Sequence, residues 1–131
     1  MGIVVDPYFH HHRNMESMQA IDAFSALASP ARLAIFRLLV QAGPEGVRSG
    51  DIAEAIAAPA NTTSSHLAVL SRAGLLTSRR DSRAIYYAAD YDRTRELLAF
   101  LVEDCCGGRA EICAPLAEVV QRACCAEGGR A

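Results

Sequence analysis

The sequence contains no apolar run long enough to cross a membrane, and it does not begin with the long apolar segment of a signal peptide. Its longest apolar stretches, such as LAIFRLLV at residues 33–40, are far shorter than the ~20 residues that a membrane helix needs. Lysine is also absent, since all 13 basic residues are arginine, and we give this little functional weight. The absence of a membrane span and of a signal-peptide segment predicts a cytoplasmic protein that makes no membrane contact.

Cysteine is too sparse for the disulfide framework of a small secreted scaffold. The chain has 5 cysteines among 131 residues, which is a low density and an odd count for such a framework. We therefore expect reduced thiols with roles in metal binding, redox chemistry or core packing. An apolar fraction of 51% at this length predicts one globular domain.

We divide the chain into three parts. Residues 1–14, MGIVVDPYFHHHRN, show no sustained period, and we expect a disordered leader or tag-like extension, although a His-rich leader also has a metal-binding composition. Residues 15–123 form the expected folded domain. Residues 124–131 form the expected mobile tail, which carries Cys124 and Cys125.

Apolar spacing and capping residues predict the first two helices. Apolar residues recur at steps of three and four from Met15 onwards, which indicates a helix over about 16–28. Ser29 is then a suitable N-cap, Pro30 suits a first helical position, and Gly43 ends the second apolar run. A second helix is therefore predicted between Ser29 and Gly43.

Two further helices are predicted next. Ser49 is expected to cap the third helix, with Asp51 in its first turn, where the helix dipole favours an anion, and with Pro59 beyond its end. The fourth helix is expected to begin at a cap-like Asn61 and to end at Gly74, because glycine adopts the left-handed conformation easily.

A β-hairpin and two more helices complete the predicted order. LLTSRRD and RAIYYAA are β-prone segments on either side of a turn at Asp81-Ser82. Helical spacing returns over residues 90–104 and again from Pro115. The chain is thus predicted to be mainly α-helical with a small β-hairpin.

Helix, turn, helix and hairpin in this order are typical of a winged helix-turn-helix, which places the N-terminal half of its second helix in the DNA major groove. Residues 29–83 carry 7 arginines against 4 acidic residues, although the whole chain has a net charge of −2. Hydroxyl and imidazole groups can meet base edges, and hairpin arginines can pair with phosphates or enter a minor groove. The candidate DNA-binding residues are Thr62, Thr63, Ser64, Ser65, His66, Arg79, Arg80 and Arg83.

Each candidate also has a purely structural interpretation. The Thr/Ser run could serve only to cap a helix, His66 could be an internal side chain, and the arginines could cover a solvated edge strand. The order of the parts favours DNA binding, because no other common small module needs this succession.

Three segments resemble the ArsR/SmtB family of bacterial metal-responsive repressors: LASPARLAIFRLL, SSHLAVLSRAGLL and SRRDSRAIYY. The resemblance covers about residues 18–103. It implies a winged helix-turn-helix homodimer built on the first and fifth helices, with residues 62–66 reading an inverted-repeat operator in double-stranded DNA. It also implies that ligand binding releases the DNA. Residues 15–123 are thus expected to be a DNA-binding and dimerisation domain of a transcriptional repressor.

The cysteines indicate where an inducer would bind. The third helix has no thiol and residues 90–104 contain no histidine, so two sites that other members of the family use are excluded. Cys105, Cys106 and Cys113 remain, and a Gly-Gly pair among them can turn the chain back. Three thiolates without histidine suit As(III) or Sb(III) better than tetrahedral zinc. This arrangement is similar to an arsenic-sensing branch of the family, and we predict these three cysteines as the metal ligands.

Several alternatives stay open for the thiols. The three could be buried apolar groups at a helix end, Cys106 and Cys113 could form a redox-sensing pair, or the site could sense another soft metal such as Cd(II). Cys124 and Cys125 could add ligands or form a second dithiol instead of lying in a mobile tail. An enzyme is disfavoured because the chain has no Cys-x-x-Cys motif, Ser/His/Asp set or phosphate loop. The basic segment argues against a winged helix that binds only proteins.

Overall fold

The structure, a computed structural model, describes residues 15–102 together with residues 114–116, 118–119 and 121–122. It divides into two compact units, of which the first ends at Leu97 and the second begins at Leu98. The predicted leader, the three predicted metal ligands and the predicted tail lie outside the described residues.

Residues 15–102 form five α-helices and three β-strands, and the described residues between 114 and 122 are helical. This order confirms the predicted fold class, a mainly helical winged helix-turn-helix with a small β-hairpin. The elements are α1 Ser17–Leu27, α2 Pro30–Ala42, β1 Val47–Arg48, α3 Ser49–Ala55, α4 Ala60–Arg72, β2 Leu76–Asp81, β3 Ala84–Ala89 and α5 Tyr91–Val102.

The predicted ends of α2 are confirmed. Ser29 is its N-cap, and the side-chain oxygen of Ser29 accepts a hydrogen bond from the backbone N–H of Arg32 at 3.3 Å. Pro30 is the first helical residue, and Gly43 at the other end has a φ of +99°. Gly74, just beyond α4, has a φ of +82°, which confirms its predicted role as a terminator.

The predicted starts of α3 and α4 were wrong by one or two residues. Ser49 is the first helical residue of α3 and not its cap, because the extended N-cap position is Arg48. α4 begins at Ala60, directly after an extended Pro59. Asn61 therefore lies inside the first turn of α4, where its side chain accepts a hydrogen bond from the backbone N–H of Thr62 at 2.9 Å.

The predicted hairpin is part of a three-stranded antiparallel sheet in the order β1-β3-β2. The two-residue strand β1, which the sequence did not indicate, pairs Arg48 with Tyr86 on β3. The predicted turn at Asp81-Ser82 was one residue too early, because Asp81 pairs with Ala84 in the ladder. The loop is therefore Ser82–Arg83, and Ser82 has a φ of +59°.

The core of the first unit lies where α4 packs against α2 and α3, and where these three helices pack against the sheet. Ile35 and Leu39 of α2, Ile52 of α3, and Leu67 and Leu70 of α4 are almost completely buried. Each such side chain stabilises the folded state by about 1.5–3 kcal/mol relative to an exposed one. This packing fixes the rotation of α4 about its own axis.

α1 buries its small residues and exposes its large apolar ones. Ala20, Ala23 and Ala26 are buried, whereas Met18 is 65% exposed and Ile21 is 53% exposed. The apolar period that predicted this helix thus marks a face that the first unit does not cover.

No single helix among the described residues is long and apolar enough to span a bilayer. α1 and α2 together have the required length and composition, as a pair bent by 103°.

Candidate nucleic-acid interface

The N-terminal half of α4 exposes a row of hydroxyl side chains. Thr62, Ser64 and Ser65 are exposed, and His66 is half-buried. The Ser65 hydroxyl donates a hydrogen bond to the backbone carbonyl of Asn61 at 3.2 Å, but a hydroxyl keeps acceptor capacity for another donor. Four of the five predicted residues on this helix thus remain accessible to a partner.

Thr63 is the exception, and its prediction as a DNA contact needs correction. The residue is only 1% exposed, because it shares the buried face of α4 with Leu67 and Leu70 at helical spacing. Its hydroxyl oxygen is buried without a hydrogen-bond partner. The side chain of Thr63 belongs to the core and is not presented to DNA.

Arg79 on β2 makes internal contacts instead of extending freely from the hairpin. Its guanidinium donates to the backbone carbonyl of Glu45 at 2.9 Å and lies 4.4 Å from the ring centroid of Tyr86. It also lies 3.9 Å from the carboxylate of Asp81. Arg79, which the sequence predicted as a phosphate contact, therefore links the hairpin to the loop before β1.

Arg80 and Arg83 are the other predicted hairpin residues, and both are exposed. Neither guanidinium has a hydrogen bond or an ion pair with any described residue. A guanidinium keeps its positive charge at any physiological pH. The tip of the hairpin thus carries two arginines that are available to an anionic partner.

A cleft of about 650 Å³ adjoins this tip, between the hairpin and the start of α3, and Arg48 and Arg83 both line it. The sequence did not single out Arg48, because a two-residue strand has too short a pattern to be recognised. Its guanidinium lies 3.9 Å from the Asp51 carboxylate. Because both side chains are more than half exposed, the pairing is weak and leaves Arg48 able to reorient.

The predicted metal ligands Cys105, Cys106 and Cys113 lie outside the described residues. Within the described ranges, no group of three or more His, Cys, Asp or Glu side chains could hold a metal ion.

The buried hydroxyl of Thr63 generates a stability prediction. Thr63→Val keeps the side-chain shape and removes a hydroxyl that has no partner, so we expect the free energy of unfolding to rise by about 1 kcal/mol. Thr62→Val, one position earlier and exposed, should leave it nearly unchanged. Urea unfolding at one fixed protein concentration measures both variants. A loss of stability in Thr63→Val would show that the hydroxyl is satisfied.

Sequence comparison relates this geometry to known regulators. Residues 27–79 match a family of helix-turn-helix domains. The uncharacterized HTH-type transcriptional regulator MJ1325 of Methanocaldococcus jannaschii is 31% identical over 85 residues, which is 65% of this chain and 93% of that protein. The HTH-type transcriptional regulator YgaV of Escherichia coli is 31% identical over 83 residues, 63% of this chain and 82% of that protein.

Solved structures agree with these relatives. NolR from Sinorhizobium fredii has a TM-score of 0.55 and 29% identity, covering 79% of this chain and 97% of NolR. A possible transcriptional regulator for arsenical resistance has a TM-score of 0.55 and 32% identity, covering 61% of this chain and 80% of that one. Mb0332 from Mycobacterium bovis is a possible ArsR-family regulator with a homodimeric winged helix-turn-helix domain. That domain has a TM-score of 0.54 and 27% identity, and the match covers 79% of this chain and 91% of that one. The chain belongs to the helix-turn-helix transcriptional regulators of the ArsR/SmtB type.

Proposed function

We propose that this regulator is a homodimeric repressor that binds operator DNA and releases it when As(III) or Sb(III) binds its cysteine thiolates. The observation that carries the DNA-binding part is the exposed hydroxyl row of α4 together with Arg80 and Arg83 at the hairpin tip, whose guanidinium groups have no partner among the described residues. Hydroxyls and an imidazole at the start of a helix can contact base edges in the major groove. The arginines supply phosphate contacts that hold the protein on the duplex.

The hairpin arginine Arg83 tests the phosphate contact. A duplex selected by the wild-type protein from a random-sequence pool, here called the selected operator, serves as the probe. Arg83→Ala should weaken binding to the selected operator and to unrelated duplexes alike, and should reduce the salt slope of log K by about 1. Fluorescence anisotropy at several salt concentrations measures both effects.

Arg95→Ala is the matched control, because it removes the same charge from α5. Arg95 is exposed and paired with Asp92 at 2.6 Å. Affinity and salt slope should stay close to those of the wild type in this variant. Equal losses in both variants would indicate a general charge effect and would refute a contact at the hairpin tip.

Dimerisation is supported by apolar side chains that the protomer leaves exposed. On α1, Met18, Ile21 and Phe24 are 65%, 53% and 38% exposed. In the second unit, Leu98 is 50% exposed and Val102 is 40% exposed on the end of α5. A helix face that leaves large apolar side chains exposed is uncommon on a monomer and typical of an interface between copies.

Charge placed on the exposed apolar side chains of α1 or α5 tests the dimer. Ile21→Glu and Leu98→Glu should each give monomer or aggregate, because a carboxylate would have to lose its water in the interface. Gln19→Glu adds the same charge two residues away, and glutamate keeps the capping interaction of Gln19 with the backbone of Glu16, so this variant should stay dimeric. Sedimentation at micromolar concentration separates the species. A monomeric wild type would overturn the proposal.

The inducer is proposed from the chemistry of the donor set. Cys105, Cys106 and Cys113 offer three soft thiolates, and residues 90–131 contain no histidine that could complete a zinc site. A relative described as a possible transcriptional regulator for arsenical resistance is 32% identical, which supports this choice. Release requires only that the ion binds the DNA-free form better. A hundredfold difference in affinity corresponds to about 2.7 kcal/mol of coupling.

Single Cys→Ser changes at these three positions test the inducer site. Serine is nearly isosteric with cysteine but is a poor ligand for a soft ion, so each variant should bind the selected operator and lose its response to As(III). Anisotropy under reducing conditions, with As(III), Sb(III), Cd(II), Zn(II) or peroxide added, measures release.

The double variant Cys124→Ser with Cys125→Ser is the control, and it should respond to As(III) as the wild type does. Full release by As(III) from a variant that lacks both Cys105 and Cys106 would rule out the site. Release by peroxide alone would instead support redox sensing through Cys106 and Cys113. Release by Cd(II) but not As(III) would point to a different soft metal.

A further inference from the structure

Arg32 is the first-turn arginine of α2, and its side chain joins three helices. Its Nε donates a hydrogen bond of 2.6 Å to the backbone carbonyl of Ala26 near the end of α1. Its Nη1 lies 3.5 Å from Nδ1 of His66 on α4. Its own backbone N–H donates to the cap side chain of Ser29. The half-buried guanidinium thus contacts α1 through Nε and the imidazole of His66 through Nη1.

The contact between Arg32 and His66 indicates which ring nitrogen accepts a hydrogen bond. A guanidinium carries only donors and does not lose its proton, so Nδ1 must be the accepting nitrogen of the ring. An imidazole that accepts at Nδ1 is neutral and carries its proton on Nε2. The opposite tautomer, or the imidazolium, would direct an N–H at the N–H of Arg32.

The Nε2–H group of His66 is available to a partner. No described residue hydrogen-bonds to it. Nε2 is also not a completely buried atom without a partner, unlike Thr63 Oγ1. The ring lies in the half of α4 that exposes Ser64 and Ser65.

We propose that Arg32 is a positioning residue that holds His66 as a neutral Nε2–H donor, and that this donor pairs with a hydrogen-bond acceptor of the DNA. The acceptor is a purine N7, guanine O6 or thymine O4 in the major groove, or a phosphate oxygen. The amino groups of cytosine and adenine are donors and are excluded as partners. The inference rests on the proposed function only in taking α4 as the helix that faces DNA.

Nitrogen-15 NMR of the DNA-free, full-length protein in mildly alkaline buffer tests the role of Arg32. The His66 ring, assigned by the loss of its signals in His66→Gln, should show one unprotonated Nδ1 and one protonated Nε2. Arg32→Met removes the donor and should give the averaged shifts of two exchanging tautomers. Arg37→Met, on an exposed arginine of the same helix, should keep the wild-type pattern. A protonated Nδ1 in the wild type would overturn the assignment, whether or not Arg32→Met folds.

A matched pair of substitutions tests the donor itself. The amide nitrogen of glutamine reaches the position of the imidazole Nε2, whereas the shorter asparagine reaches only that of Nδ1. His66→Gln should therefore bind the selected operator within a few-fold of the wild type, and His66→Asn about 10- to 100-fold more weakly. Equal affinities for the two variants would refute donation from Nε2.

Modified duplexes distinguish the two sources of the acceptor. Base analogues that lack a single acceptor, such as 7-deazapurines, and methylphosphonates at single phosphates are placed through the selected operator. At one position of one series, the modification should weaken binding by the wild type but not by His66→Asn. If no position in either series depends on His66, the contact does not exist.

Failure of this inference is distinguishable from failure of the proposed function. If the chain selects no operator, the proposed function fails, but the NMR measurement still decides the contact between Arg32 and His66. If the operator binds and the NMR pattern is wrong, only the positioning role fails.

Discussion

The face that α4 buries determines the face that it can offer to a partner. Leu67 and Leu70 are almost completely buried among α2, α3 and the sheet, and Thr63 continues this face one turn earlier. Because a helix turns 100° per residue, fixing these three positions directs Ser64 and Ser65 away from the core. The hydrophobic packing of the second half of the helix therefore positions the polar first half. The buried Thr63 hydroxyl is the cost of continuing the core into a Thr/Ser run.

Elsewhere in the chain, residues of one chemical class also divide between internal and exposed positions. α1 packs through alanines, which allow close approach, and its larger apolar side chains, such as Met18 and Ile21, remain outside. The arginines also divide, since Arg32 and Arg79 each donate to a backbone carbonyl, whereas Arg83 has no described partner. Residue type alone does not distinguish buried from exposed apolar residues on α1. It also does not distinguish arginines with internal hydrogen bonds from those available to a partner.

Local signals in the sequence predicted the elements, and tertiary pairing produced what they missed. Ser29, Pro30 and Gly43 delimit α2 correctly because capping depends on residues only a few positions apart. By contrast, β1 exists because β3 offers it an edge to pair with, and two residues have no period to recognise. His66 lies 34 positions from Arg32, and Glu45 lies 34 positions from Arg79. The short stretches of sequence that predict helices and strands therefore contain only one member of each pair. The exclusion of Thr63 from the interface likewise depends on the rotation of α4, which only the packed core fixes.

The charge distribution explains why a dimer matters for this kind of regulator. With a net charge of −2, the whole chain has no net electrostatic attraction to DNA, and affinity must come from local contacts. Arg32 and Arg79 are engaged internally, which leaves fewer arginines of one protomer for phosphates. Two protomers on one duplex add their contacts, because the second half-site binds intramolecularly, provided that their spacing matches a turn of DNA, about 34–36 Å. A ligand that alters this match can therefore release DNA without contacting α4, since the coupling of about 2.7 kcal/mol needed for a hundredfold effect equals only a few hydrogen bonds.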